Sequence, residues 1–155
     1  MSVTVAKLRL GIEPPLATPQ ASNYRPTRWP PAADFPIVID AEGNVVSRYG
    51  DHAWKLWPWA SKAVTLDFHD GPRRKGELQI SRDNADLLRQ VAAWWLFGPR
   101  TVQTPGALNY KFKALRPLFT LCSKFGINAS EISRFPAVAD EFVSQLAPTR
   151  GPPIL

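Results

Sequence analysis

The chain has 155 residues, a net charge of +6 and a pI near 9.8. With 45% hydrophobic and 21% charged residues it has enough apolar material for one packed domain, which excludes wholesale disorder, and the positive balance favours polyanionic partners. Its single cysteine, Cys122, excludes a disulfide framework and a cysteine-built zinc site.

The N-terminus, MSVTVAKLRLG, lacks both a continuous apolar stretch and a small-residue cleavage site, and no run is long enough to span a bilayer. The expectation is a cytoplasmic protein with no membrane partner. Residues 1–34 form a Pro-rich extended segment. Across residues 13–36, Pro14, Pro15, Pro19, Pro26, Pro30, Pro31 and Pro36 leave no helical period, and Tyr24 and Trp29 are placed to pin such a strap to a surface.

Residues 35–72 read as a small antiparallel β module. Pro36–Asp40 and Val45–Tyr49 flank the turn Ala41–Asn44, making a hairpin, and Val64–Phe68 alternates as a third strand ended by His69–Pro72. Trp54, Trp57 and Trp59 crowd the interval between them; a plug for a small core comes ahead of a base-stacking platform. The basic loop Arg73-Arg74-Lys75 follows as a secondary candidate for phosphate contact.

Residues 80–148 are helical, and 149–155 form a tail. A first helix opens near Ser81 or Asp83, buries Leu88, Val91, Ala92 and Trp95, and stops at Gly98-Pro99. A second runs from Thr104 to Gly126, with Thr104 as N-cap, Pro105 at its first position and Gly126 as its left-handed terminus. Pro117 inside it removes one backbone hydrogen bond and predicts a kink. Asn128–Ser133 reads as a short helical turn. A third main helix opens near Pro136 and buries Val138 or Ala139, Phe142, Val143 and Leu146.

Charge is distributed unevenly along this half. No acidic residue lies between Asp86 and Glu131, whereas Arg89, Arg100, Lys111, Lys113, Arg116 and Lys124 do. On the second helix Asn109, Lys113, Arg116, Thr120 and Lys124 recur on one face, opposite Leu108, Phe112, Leu115, Phe119 and Cys122. Solvated faces usually mix both signs, so an unrelieved cationic front points to the phosphate backbone of a nucleic acid. The candidate DNA-binding residues are Arg100, Thr104, Asn109, Lys111, Lys113, Arg116 and Lys124, with Arg73, Arg74 and Lys75 as a second contact.

Catalytic chemistry is sparse. His52 and His69 are the only histidines, and His69, Asp67 and Asp70 close a strand, where such residues are ordinary turn formers. No glycine-rich phosphate loop, zinc spacing or nucleotide-binding fingerprint occurs, so no catalytic residue, metal or cofactor is assigned. A small enzyme built on His69, Asp67 and Asp70 remains a rival, as does a protein-interaction module on the Trp-rich β segment. A stand-alone DNA-binding regulator is a third possibility.

Residues 81–147 resemble the N-terminal core-binding, SAM-like domain of tyrosine recombinases, the phage-integrase family. The likeness is carried by Thr104, Tyr110, Leu115, Phe119, Leu121-Cys122, Phe125-Gly126 and Ile127, then Glu131-Ile132 and the helix through Phe142-Val143-Ser144-Gln145-Leu146. The resemblance implies a helical domain that clamps duplex DNA, with other recombinase protomers as partners. It also implies DNA integration or recombination on mobile elements, through a tyrosyl-phosphate made by a catalytic domain whose arginine-histidine-arginine cluster has no counterpart here. An excised N-terminal region and a stand-alone relative both fit. The overall expectation is α+β: a small antiparallel β-sheet followed by a bundle of three to four helices.

Overall fold

The computed structural model describes residues 25–60, 62–72, 74–98 and 104–146. The architecture is α+β. Strands β1 (Pro36–Ile39) and β2 (Val45–Arg48) pair antiparallel, as do β3 (Ala53–Lys55) and β4 (Thr65–Asp67). The four-residue helix α1 (Trp57–Ala60) lies between β3 and β4. Helices α2 (Arg82–Phe97) and α3 (Pro105–Lys124), a 3-10 segment Ala129–Arg134 and α4 (Pro136–Leu146) follow.

The expected hairpin is present, and its turn is closed by Asp40. The Asp40 carboxylate accepts from the Glu42 and Asn44 N–H groups (3.0 and 2.8 Å), while Gly43 takes φ 86°. The third expected strand does not join this pair. Thr65–Asp67 instead pairs with Ala53–Lys55, in register Ala53↔Asp67, Trp54↔Leu66, Lys55↔Thr65, so there are two two-stranded sheets. Trp54 sits fully buried on β3 and donates from Nε1 to the Tyr49 carbonyl at 3.0 Å. It is the core plug. Its ring meets Phe68 with centroids 4.9 Å apart, and Phe68 meets Phe112 of α3 at 5.3 Å, edge to face. One apolar cluster therefore runs from Ile37 through Trp54, Phe68, Leu88 and Phe112 to Val138, across the change from strands to helices.

The strap is described from Arg25 onward, so Tyr24 and the earlier prolines lie outside the described residues. Trp29 does dock, edge-on against Trp94 of α2, and Phe35 meets Phe97 in the same manner.

The local signals of α3 act as their chemistry requires. The Thr104 Oγ1 accepts from the Ala107 N–H at 3.0 Å, satisfying one of the amides left open at a helix start. At the other end Gly126 has φ 69°, its N–H donates to the Ser123 carbonyl and the Ile127 N–H reaches the Cys122 carbonyl at 3.0 Å, which is a Schellman closure. The helix is continuous through Pro117, which lies on the exposed side, so the carbonyl of Lys113 that loses its N–H donor there is not sealed in the core. The end of α2 works differently. Gly98 has extended backbone (φ −77°, ψ −176°), and glycine is needed there because a Cβ would come within 2.5 Å of the Trp94 carbonyl oxygen.

Two expected burial patterns are corrected. The inward stripe of α2 is rotated toward Ala85, Leu88, Arg89, Ala92, Ala93 and Leu96, leaving Val91 and Trp95 half-buried, because Arg89 is drawn inward by partners from the β segment. On α4, Val138 is buried and Phe142 packs on the core, but Val143 is 62% and Leu146 38% exposed. Val143 lies about 100° around the helix from Phe142.

Candidate nucleic-acid interface

The outward side of α3 is built by the same periodicity that buries Leu108, Phe112, Phe119 and Cys122. Tyr110, Lys113, Pro117 and Lys124 are exposed on it, with Gly106 at its start. Lys113 and Lys124 point the same way within roughly 20°, about 16 Å apart along the axis. No carboxylate among the described residues pairs with either. Lys111 is exposed on another flank, its Nζ 5.9 Å from the centroid of the Trp95 ring. Tyr110, 78% exposed, shares the Lys113 side.

The remaining members of the expected face turn inward. Arg116 is half-buried, donates from Nη1 to the Asp67 carbonyl at 3.0 Å and lies 5.3 Å from the Phe112 ring centroid. It ties α3 to β4, because a flexible side chain at the edge of the helix face finds a carbonyl at the end of a short strand. Asn109 is half-buried and its Oδ1 is fully covered. Thr104 spends its hydroxyl on the cap. Arg74 and Lys75 are exposed on a turn closed by the Glu77 N–H on the Arg74 carbonyl at 3.1 Å. Arg73 and Arg100 lie outside the described residues.

Arg89 belongs to the cationic stretch in sequence and to the core in space. It is 2% exposed. Its Nε and Nη2 donate to the Asp51 carbonyl (3.0 and 2.9 Å), Nη2 to both Asp70 carboxylate oxygens (2.9 and 2.8 Å), and Nη1 to Asp86 (2.9 Å). Its guanidinium lies over Phe68 at 4.7 Å, and His52 Nδ1 stands 3.0 Å from Asp70 on the solvent side. Sequence spacing holds a signal for this. Ala85, Arg89, Ala92 and Leu96 recur at intervals of four, three and four, so the arginine occupies an apolar-stripe position.

This arrangement also bears on the His69, Asp67 and Asp70 cluster. The Asp70 carboxylate is engaged by Arg89, and the Asp67 Oδ1 accepts from the His69 N–H at 2.9 Å. His69 is buried with φ 55°, a left-handed turn residue whose carbonyl accepts from the Ile80 N–H. No group of three or more potential metal ligands occurs among the described residues. Burial pushes the Cys122 thiol up from its ordinary value, which suits a small hydrophobe rather than a nucleophile.

No family model, curated protein or solved structure matches the chain. Among the described residues no helix is long and apolar enough to cross a membrane.

Proposed function

We propose that this chain binds duplex DNA, with the outward side of α3 as its phosphate-contacting surface. The observation that carries the reading is a surface of one sign. Lys111, Lys113 and Lys124 are exposed on a 20-residue helix that contains no carboxylate. Arg74 and Lys75 supply a second cationic turn. The more specific form of the reading is the core-binding region of a tyrosine recombinase, holding DNA for strand exchange performed by a separate catalytic domain. It is supported by the order of α2, the threonine-capped α3, the glycine turn at Gly126, the 3-10 step and α4.

The test is fluorescence anisotropy on labelled random duplex at two salt concentrations. Affinity falling steeply with salt supports a phosphate interface. The double variant Lys113→Ala/Lys124→Ala is expected to lower the slope of log K against log salt by about two, one for each phosphate contact. An unchanged slope removes these lysines from the interface. Absence of binding at low salt overturns the DNA reading.

A further inference from the structure

We infer that the cleft between the strap Arg25–Pro30 and the C-terminal end of α2 is a stacking site for an unpaired nucleotide of a single-stranded nucleic acid. The cleft has a volume of about 340 Å³, and Arg25, Arg28, Trp29, Trp94 and Phe97 line it, with no acidic residue among its walls. That volume is near the lower end of small-ligand sites, roughly 300–1,000 Å³.

Two tryptophans here are held without being covered. Trp29 is 45% and Trp94 53% exposed, with ring centroids 5.7 Å apart at 75°. Trp94 is further fixed by Gly98, whose backbone lies so close that a Cβ would stand 2.9 Å from two carbons of the indole. A tryptophan serving only as a plug is enclosed by what it joins, as Trp54 is. Trp94 is oriented from the protein side while much of its surface stays open.

Two guanidinium groups flank these rings. Arg25 donates from Nη1 to the Phe97 carbonyl at 3.1 Å and lies 5.9 Å from the Phe97 ring centroid; Arg28 donates from Nε to the Pro30 carbonyl at 3.3 Å. These bonds orient the two side chains and leave further N–H donors on each, and no carboxylate among the described residues pairs with either. A proline-rich peptide would use the rings and ignore the arginines, whereas an acidic peptide would do the reverse. A nucleotide uses both, placing its base against an indole and its phosphate on a guanidinium. Paired bases in a duplex are already stacked, so this site calls for an unpaired strand and is independent of the α3 surface.

The experiment is anisotropy of fluorescein-labelled oligothymidylate with the full chain at low salt, beside a duplex of the same length. The expected result is that Trp94→Leu, which keeps apolar cover on α2, weakens oligothymidylate binding at least about fivefold and leaves duplex binding unchanged. Arg25→Ala/Arg28→Ala is expected to lower its salt slope by about 1.4, whereas Lys113→Ala/Lys124→Ala leaves it unaltered. Circular dichroism establishes folding; if Trp94→Leu fails to fold, the arginine pair, both exposed, decides the matter. Equal oligothymidylate affinity in the folded Trp94 and arginine variants overturns the inference, as does displacement by polyglutamate as effective as by unlabelled oligothymidylate. Because duplex binding is read on separate variants, either proposal can fail while the other stands.

Discussion

Replacing Arg89 by methionine keeps an unbranched side chain on the buried stripe of α2 and removes every donor. The Asp70 carboxylate, whose side chain is 3% exposed, then retains, among the described residues, only His52 beside it, and the Asp51 carbonyl loses two hydrogen bonds. Asp86 is half-exposed and falls back on water. Leaving one partner of a buried ion pair uncompensated costs about 3–5 kcal/mol. For a chain of this size that corresponds to a fall in Tm on the order of 10 °C. The double variant Arg89→Met/Asp70→Leu removes both charges and strands only the Asp51 carbonyl, at a cost of about 1–3 kcal/mol, so it should be more stable than the single variant. Urea unfolding followed by tryptophan fluorescence measures both, with an unchanged m-value confirming that stability alone has moved. A single variant within about 1 kcal/mol of the parent would refute the reasoning, as would a double variant less stable than the single.

Three further outcomes are expected. The Tyr49 hydroxyl is buried without a hydrogen-bond partner, and burial pushes its ionisation well above the ordinary value of 10.0, with Arg89 opposing and Asp86 adding to the rise. The unfolded chain therefore loses this proton before the native state does, and stability falls as pH rises through 10. Tyr49→Phe should flatten that alkaline limb and cost nothing at neutral pH; urea midpoints at neutral and alkaline pH check both, and a neutral-pH loss above about 1 kcal/mol would contradict it. Gly98→Ala places a Cβ 2.5 Å from the Trp94 carbonyl oxygen and should cost about 1–3 kcal/mol by thermal melting, with an unshifted Tm refuting the close approach. Asn84→Ala removes donors to Ser123 Oγ and the Ile127 carbonyl and the acceptor for the Ala129 N–H, so a loss of about 2–3 kcal/mol is expected; an unchanged urea midpoint would show that this joint carries no stability.

Where a local rule decides the conformation, the sequence was readable. Thr104-Pro105 and Gly126 mark the ends of α3 because an open amide and a left-handed residue have few chemical solutions. The hairpin at Asp40–Asn44 follows for the same reason. Strand β3 was not visible, since three residues among clustered tryptophans show no period of their own and pairing with Thr65–Asp67 creates it. Periodicity located the exposed lysines of α3 but missed the inward turn of Arg116, whose partner is a backbone carbonyl 49 positions away. The burial of Arg89 and Asn84 is hard to read from the sequence because pattern reasoning assigns polar side chains to solvent, and the groups that pull them inside come from distant segments. The Trp29–Trp94 contact was half legible: an aromatic in a Pro-rich strap asks for a surface, but nothing in the strap names which one.

The ion pair between Arg89 and Asp70 spans the basic loop that separates strands from helices. A fragment beginning after that loop would carry the arginine without its carboxylate, and Phe112 without Phe68. The helical half is thus no interchangeable cassette: any graft, truncation or chimera that keeps α2 and α3 must bring the turn at Asp70 with them.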